Sequence, residues 1–407
     1  MGKEQKSILL LGGSTQQVIA IKMAKKLGYR TVLCDYLPDN PGQYEADVFY
    51  QESTTDREKM LEISRKEGVS GVLAYASDPA ALTCAYVAEQ LGLPTNPLAS
   101  VEILSVKHLF RRHLAKNGFP CPKAAAVSAE ATAAEVLAAS EGMRLPVVLK
   151  PTDSSGSKGV TVLEQRDEGA FAQALEHAAS FSRNRVLVLE EYIRSGFPRV
   201  IGGDVFVANG EVRFWGLMSC LRDEGLGGLV PVGERYPSGL SAEQMAAVRE
   251  QIQALVTSLD LRFGELNVEV IVGEDGLPYF LELGARAGGN MIPVQLSDLS
   301  GIDLVEANVR YAMGDSSMSV DFSESDQVIC TYVPHAARSG AFEGLEFAPE
   351  IEPHLYRTVM YVEPGATVER FDGANKAIWI LFLRFDSVKQ MEELLARMGE
   401  LIQVRVA

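Results

Sequence analysis

Apolar runs and amphipathic stretches alternate through the first hundred residues of the chain. The runs that predict strands are 7–13, 31–36, 46–50 and 69–76. The stretches between them have the 3.6-residue spacing of apolar positions that is typical of helices with one buried face. Alternation of strand and helix at these intervals predicts a doubly wound parallel sheet of about one hundred residues.

After the proline-rich segment 93–100 the pattern changes to pairs of strands interleaved with helices. A hairpin is predicted at 202–218, because Asn209-Gly210 is a strong signal for a two-residue turn. The other predicted strands are those of 147–163, 185–193 and 263–284, and in the tail those near 327–333, 357–362, 376–385 and 401–406. The predicted helices are 100–118, 130–140, 167–181, 241–259 and 387–398. The whole pattern predicts an α/β protein.

Length, charge and cysteine usage exclude several classes of protein. At 407 residues the chain is too long for one simple core, so two or three domains are expected. A formal net charge of −16 argues against a nucleic-acid partner, because a protein that binds nucleic acid needs a basic surface. Five cysteines without C-x-x-C spacing indicate neither a disulfide framework nor a zinc site. No apolar run reaches membrane-spanning length, so we expect a cytoplasmic protein with no membrane partner.

The stretch VVLKPTDSSGSKGVTVL, residues 147–163, predicts two strands joined by a small polar turn. Backbone N–H groups beside glycine approach a ligand closely, serine hydroxyls add donors, and lysines add positive charge. The residues that favour a phosphate clamp are Lys150, Ser154, Ser155, Gly156, Ser157, Lys158 and Gly159. An ordinary surface hairpin with a solvated tip accounts for the same residues, and the turn alone does not decide between the two interpretations.

The end of the first strand suggests a dinucleotide site that the sequence then disfavours. Gly12-Gly13 ends this strand and Asp35 ends the next. The loop reads GGSTQQ and not G-x-G-x-x-G, so the fingerprint of an NAD-dependent dehydrogenase is incomplete. A helix N-terminus at this edge of the sheet remains suited to a small anion or a substrate carboxylate.

The strand at 185–193 ends in Glu190, Glu191, Tyr192 and Ile193. Two adjacent carboxylates at a strand terminus fit an exposed edge, and they also fit a cleft in which backbone groups meet a base. Lys107, in the helix predicted over 100–118, is by itself most simply a solvated lysine.

Two acidic residues lie inside apolar strands of the block 263–294. Glu269 and Glu282 are costly to bury unless their charges are compensated, and a divalent cation that prefers oxygen ligands and phosphate would compensate both. The alternative has both acids on the solvent face of a hairpin, and strand alternation does not decide. Arg286 and Asn290 follow in a glycine-rich loop, where an arginine could stabilise charge on a transferred phosphoryl group.

Taken together these segments resemble the ATP-grasp superfamily, in the branch with biotin carboxylase, the carbamoyl phosphate synthetase large subunit and amino-acid ligases. The resemblance covers nearly the whole chain. It implies a Rossmann-like N-terminal domain, an ATP-grasp body of two α+β subdomains and a β-rich C-terminal domain. The corresponding ranges are 1–104, 105–314 with a lid at about 122–190, and 315–407.

The resemblance also implies roles for individual residues. Lys107 and Lys150 match two phosphate-binding lysines, and the loop 153–159 matches a mobile flap over the triphosphate. Glu190–Ile193 match the hinge that meets adenine, and Asp204 matches an acid that binds the ribose. Glu269 and Glu282 match a pair of acids that bridge the metal, and Arg286 matches an arginine near the acyl phosphate. One departure is Gly284, where the family commonly has asparagine as a further metal ligand. Asn267 or Asn290 could substitute, or water could hold one metal ion.

The activity implied is ATP-dependent ligation of a small carboxylate, such as an amino acid, to an amine through an acyl phosphate. The cofactors implied are ATP and Mg²⁺ or Mn²⁺, and a homodimer formed through the tail is compatible with the sequence. Two alternatives stay open. One is a carboxylase-like activity on biotin and bicarbonate or a carbamoyl phosphate synthetase-like activity, and the other is a non-catalytic ATP-binding regulatory subunit.

Overall fold

A four-stranded parallel sheet forms the N-terminal part of the protein. The computed structural model describes residues 5–154, 156–223, 230–373 and 376–407. The strands are β1 (Ser7–Leu11), β2 (Arg30–Asp35), β3 (Val48–Gln51) and β4 (Val69–Leu73), with helices α1 (Val18–Lys26), α2 (Arg57–Glu67) and α3 (Asp78–Leu91). Their order is β3-β2-β1-β4, all parallel, and β1 is buried throughout. The predicted α/β fold with a Rossmann-like leading sheet is confirmed.

The helix predicted over 100–118 is interrupted. Helix α4 (Leu98–Ser105) and helix α5 (Lys107–Lys116) are separated by Val106, whose φ of −123° and ψ of 105° are extended. The break allows the backbone N–H of Lys107 to donate to Thr152 O over 2.9 Å. The apolar spacing of 100–118 predicts one continuous helix, but the hydrogen bond to the distant Thr152 accompanies a break at Val106.

A four-stranded antiparallel sheet carries the predicted phosphate-binding turn. It contains β5 (Ala124–Ser128), β6 (Val147–Pro151), β7 (Thr161–Leu163) and β8 (Val186–Glu191), packed against α6 (Ala133–Ala139) and α7 (Glu168–Phe181). The antiparallel pairing of β6 with β7 confirms the predicted hairpin. Because the order is β5-β8-β6-β7, Lys150 on β6 lies beside the strand that carries Glu190.

An eight-stranded antiparallel sheet forms the body of the molecule. Its strands are β9 (Ile201–Ala208), β10 (Glu211–Arg222), β11 (Pro231–Tyr236), β12 (Phe263–Val272), β13 (Pro278–Gly284), β14 (Val328–Tyr332), β16 (Leu355–Met360) and β18 (Trp379–Phe385). Helices α8 (Ala242–Ser258), α9 (Ile292–Ser300) and α10 (Leu304–Ala312) belong to this part of the chain. The hairpins predicted at 202–218 and 263–284 are confirmed as the pairs β9–β10 and β12–β13.

The large sheet continues through the predicted domain boundary at 314/315. Its order is β13-β12-β9-β10-β11-β14-β18-β16, so three tail strands extend the sheet that begins with the acidic hairpin. A smaller sheet, β17-β15-β19, contains β15 (Gly340–Phe347), β17 (Thr367–Val368) and β19 (Ile402–Val406), and the last helices are α11 (Val388–Leu395) and α12 (Met398–Leu401). Apolar alternation predicts a strand but not the sheet edge that it joins. Within the described ranges, no helix combines the length and apolar character needed to cross a bilayer.

Candidate functional site

The turn between β6 and β7 is built on two glycines in the left-handed region. Gly156 has a φ of +67° and Gly159 a φ of +75°, conformations that side chains disfavour. A Cβ added at Gly159 would lie 2.8 Å from Pro151 Cγ, so this glycine also permits close packing. The Ser154 hydroxyl donates to Lys158 O over 3.0 Å, which folds the turn back on itself and leaves the Lys158 side chain exposed.

The three serines predicted to bind phosphate differ in what the structure shows of them. Ser154 uses its hydroxyl within the turn, and Ser157 has a φ of +61°. Ser155 lies outside the described residues. The base of the turn is fixed by Asp153, whose carboxylate accepts from the backbone N–H groups of Arg183 and Asn184 over 3.1 and 2.7 Å.

Lys107 connects the turn to the acidic hairpin. As the first residue of α5 it lies directly after the helix break, and its ammonium donates to Ser154 O over 2.5 Å. The same Nζ lies 3.4 Å from Glu282 Oε2. Since only 13% of its side chain is exposed, Lys107 is not the solvated lysine that the helix alone would suggest.

Lys150 belongs to a buried cluster of three charges. It donates to Glu190 over 2.5 Å, and the Arg111 guanidinium donates to the same carboxylate over 2.7 and 3.3 Å. Burial alone would raise the pKa of Glu190, but the two cations outweigh it and lower that pKa to about 2. Burial lowers the pKa of Lys150 from its usual value, against the opposing attraction of Glu190. The cluster has one positive charge in excess, which favours an anion beside it.

Arg111 is a site residue that the sequence interpretation missed. Besides Glu190 it donates to the carbonyls of Phe280 and Leu281, both over 3.0 Å, and so ties β8 to the strand that carries Glu282. It lies four residues after Lys107, and residues four apart share a face of a helix. That spacing was the available signal.

The end of β8 presents less to a ligand than its two acids suggest. The Glu190 side chain is engaged with cations, and Glu191 accepts from the backbone N–H of Arg144 over 2.8 Å on the opposite face of the strand. Tyr192 is 46% exposed and Ile193 is half-buried. The predicted adenine hinge is therefore restricted to backbone groups and to these last two side chains.

Glu269 and Glu282 are directly opposite each other on β12 and β13. About a third of each side chain is exposed, 30% and 31%, so they are neither solvated nor fully buried. Burial, and then repulsion by Glu282, raises the pKa of Glu269. The Arg222 guanidinium lies 3.8 Å from Glu269 Oε2 and partly offsets this repulsion. A bound cation would reduce the repulsion between these two opposed carboxylates.

The donor set fits a hard cation such as Mg²⁺, which takes one or two carboxylates and completes its coordination with phosphate oxygens and water. No group of three or more acidic, histidine or cysteine side chains suited to a metal occurs in the described parts of the chain. Asn267, one suggested substitute for the ligand absent at Gly284, instead donates its amide to Asp204 over 2.8 Å. Asn290, the other, is half-buried with a φ of +50° in the loop after β13.

Asp204, which the resemblance matches to a ribose-binding acid, lies inside the protein. Asp204 is fully buried and accepts from the Asn267 amide and from the backbone N–H of Gly288 over 2.7 Å. It lies directly opposite Asn267 of the neighbouring strand and under the glycine-rich loop, where a Cβ at Gly288 would approach it to 2.7 Å. Burial raises its pKa. Asp204 thus fixes this loop from beneath and is not exposed in this structure, and its contact with a ribose stays a prediction.

Arg286 is held by a residue from the N-terminal sheet region that the sequence interpretation did not identify. Its Nε and Nη2 donate to the two carboxylate oxygens of Asp78 over 2.6 and 2.7 Å. Only 12% of the Arg286 side chain is exposed. Burial alone would raise the pKa of Asp78, but the guanidinium outweighs it and lowers that pKa. Asp78 precedes Arg286 by 208 residues, so nothing in local spacing indicates the pair.

Side chains of the protein occupy the hydrogen-bonding groups of the loop after β1. The Gln17 side chain accepts from Ser14 N–H over 2.8 Å and donates to Tyr75 O over 3.0 Å, filling the space above Gly12. Asp35, the acid at the end of the second strand, accepts from Gly13 N–H over 2.7 Å. This edge of the sheet satisfies its own hydrogen bonds.

Comparison with known proteins identifies the region that contains most of the site. Residues 107–319, more than half of the chain, match the family model described as the carbamoyl-phosphate synthase L chain, ATP binding domain. Lys107, Glu190, Glu269 and Arg286 lie inside the matched region, and Asp78 lies outside it.

Individual relatives cover most of this chain. The carbamoyl phosphate synthase large chain of Halomonas eurihalina is 25% identical over 336 residues, which cover 81% of this chain and 29% of that one. An uncharacterized protein of Sinorhizobium fredii is 24% identical over 314 residues, covering 74% of this chain and 61% of the relative. The chain thus spans less than two thirds of each. The crystal structure of L-amino acid ligase from Bacillus licheniformis has a TM-score of 0.82 at 19% identity with full coverage of both chains, and this likeness shows the ATP-grasp fold.

Proposed function

Because the chain belongs to the family of the carbamoyl-phosphate synthase L chain ATP-binding domain, we propose that it is an ATP-dependent carboxylate–amine ligase. Its substrates are a small carboxylate, of which an amino acid is the best candidate, and an amine. The products are an amide, ADP and inorganic phosphate. The L-amino acid ligase with the same fold supports this choice of substrate class.

One observation carries the proposal. Glu282 lies directly opposite Glu269 and 3.4 Å from the Lys107 ammonium, which in turn bonds to the glycine-rich turn through Ser154 O. Paired carboxylates, a lysine and a turn with backbone donors are the groups that bind a metal-bound triphosphate. The same three elements meet at one point although they are distant in the sequence.

The reaction has two steps, in which the protein positions groups and neutralises charge. A carboxylate oxygen of the first substrate attacks the γ-phosphorus of ATP in line, the bond to the bridging oxygen breaks, and ADP leaves. The amine nitrogen then attacks the acyl phosphate carbon, loses a proton and expels inorganic phosphate. In both steps negative charge lies on oxygens that cationic side chains can approach.

Each group of side chains has a role in these steps. Lys107 and Lys150 neutralise the phosphates, and Arg286 stabilises charge on the phosphoryl group as it is transferred. The loop 153–159 closes over the phosphates and excludes water, which would hydrolyse the acyl phosphate. Glu269 and Glu282 would hold Mg²⁺ or Mn²⁺, which when bound neutralises phosphate oxygens.

Phosphate release from MgATP tests the proposal. The purified chain is assayed with pools of amino acids, other small carboxylates, amines and bicarbonate. Release that requires both a carboxylate and an amine supports the ligase, and deconvolution of the pools identifies both substrates. Release with bicarbonate alone would replace it with a carboxylase-like activity. ATP binding without release in any pool would favour the non-catalytic ATP-binding subunit.

A further inference from the structure

The ion pair between Asp78 and Arg286 joins two separate parts of the chain at the edge of the proposed site. Asp78 is the first residue of α3, in the N-terminal region, and Arg286 follows β13 by two residues. Arg286 Nε donates to Asp78 Oδ1 over 2.6 Å, and Arg286 Nη2 donates to Asp78 Oδ2 over 2.7 Å. A bidentate pair of this kind fixes orientation as well as distance.

Gly284 provides the room for this pair. A Cβ added at this glycine would lie 3.1 Å from Asp78 Oδ1 and 3.3 Å from Arg286 Nε. Both distances are tighter than ordinary van der Waals contact, and any larger side chain would reach further into the pair. Gly284 is also two residues after Glu282 on the same strand face, so the pair borders the proposed metal site.

The remaining bond of the guanidinium keeps it beside the loop. Arg286 Nη1 donates to Ala287 O over 3.0 Å. Arginine has five N–H donors, and these contacts use three of them. The guanidinium is thus oriented by protein on one edge and retains donors for an anion.

We propose that Asp78 is a positioning residue that fixes the Arg286 guanidinium in the site, so that the N-terminal region takes part in phosphoryl transfer. The absence of a side chain at Gly284 is what admits the Asp78 carboxylate. This inference rests on the proposed ligase activity. It predicts that residues 78 and 284 are energetically coupled although they belong to different regions of the fold.

Kinetics of single variants test the positioning role. Asp78→Asn keeps the size of the side chain and removes the charge, so kcat should fall by about a hundredfold as the guanidinium loses its orientation. The KM for ATP should stay within about twofold, because the phosphate-binding lysines are unchanged. The matched control is Asp298→Asn, which removes another Asp–Arg pair between distant segments, the 2.8 Å contact with Arg357, and should leave kcat unchanged.

A double variant tests the role of Gly284. Gly284→Asn should lower kcat on its own, because its side chain collides with the pair. In Asp78→Ala/Gly284→Asn the carboxylate is absent and the new amide oxygen can accept from Arg286. The loss of kcat in the double variant should therefore be smaller than the product of the two single losses.

Defined outcomes would overturn the proposal. If Asp78→Asn has the kcat of the wild type, Arg286 needs no positioning by Asp78. If Asp298→Asn loses as much kcat as Asp78→Asn, the loss comes from a general decrease in stability. Multiplicative losses in the double variant would remove the role given to Gly284. If the wild-type chain itself has no turnover, the proposed function fails separately from this inference. NMR of the Arg286 Nε–H group then tests the ion pair with Asp78 without an activity assay. The Nε–H resonance must shift in Asp78→Asn and not in Asp298→Asn, and an unmoved signal would refute the ion pair.

Discussion

Glu269 and Glu282 face each other directly across two antiparallel strands, each with about a third of its side chain exposed. Like charges in this position repel, and the raised pKa of Glu269 reflects burial first and this repulsion second. The pair therefore costs stability in the free protein, and a cation and phosphates would offset that cost. Acidic residues placed together at such a cost are candidates for function.

Glu282→Gln should abolish most turnover while leaving the fold intact. Loss of one metal-binding carboxylate should lower phosphate release by roughly a hundredfold or more. The free energy of unfolding should change by less than about 1 kcal/mol or rise slightly, because the repulsion with Glu269 is removed. Glu274→Gln, on the exposed turn of the same hairpin, is the control and should behave as wild type. Unchanged phosphate release in the Glu282 variant would refute the metal role.

Removal of the charge of Glu190 should destabilise the protein much more than removal of the charge of its neighbour. Glu190→Gln leaves Arg111 and Lys150 buried without a counter-charge, and breaking a buried pair costs about 3–5 kcal/mol. Glu191→Gln keeps a side-chain oxygen that can accept from Arg144 N–H, loses the attraction to the exposed Arg144 guanidinium, and should cost about 1 kcal/mol. Urea denaturation of both variants measures the difference, and equal values would show that the buried cluster adds nothing to stability.

Glu234 should make the protein less stable as the pH rises. Burial, and further repulsion by Glu269, raise its pKa from 4.5 to about 8 despite a contact with Cys220, and its Oε2 has no hydrogen-bond partner among the described residues. Between these pH values the unfolded chain releases a proton that the folded chain retains. This group therefore stabilises the fold fully below its unfolded pKa, and the contribution falls by about 1.4 kcal/mol per pH unit as the pH rises toward 8.

Urea denaturation at two pH values measures the effect of Glu234. Glu234→Gln removes the titration, so its stability relative to wild type should increase from about pH 5.5 to about pH 7.5. The control is Glu393→Gln, at an exposed position on α11, and it should show no such trend. A difference between wild type and the Glu234 variant that is constant with pH would contradict the expectation.

MgATP should protect the glycine-rich turn from protease. Lys158 is exposed at this turn, so trypsin should cleave after it in the free protein. If loop 153–159 closes over the triphosphate, MgATP should slow this cleavage several-fold, while cleavage after the exposed Lys389 on α11 stays unchanged. Mass spectrometry of timed digests separates the two sites. Equal rates at Lys158 with and without MgATP would count against a closing flap.

Local signals were sufficient for the strands and hairpins of the site, and for residues positioned by them. The turn at Asn209-Gly210 and the acidic hairpin follow from alternation and turn chemistry, and Arg111 could have been predicted from its spacing to Lys107. The partner of Arg286 could not, because Asp78 meets it only through packing of distant regions. The burial of Asp204 could not be predicted for a related reason: alternation gives the face of a strand, whereas the loop that covers that face comes from elsewhere.

The continuous large sheet limits how far the ATP-binding segment can be regarded as a module. β11 pairs with β14 through Arg235 opposite Cys330 and Tyr236 opposite Ile329, and β14 lies beyond residue 319, where the family match ends. A shortened chain ending there would present the β11 edge to solvent with unpaired N–H and C=O groups, a template for association with other chains. The tail thus protects this edge of the sheet, in addition to any role that it has in the site.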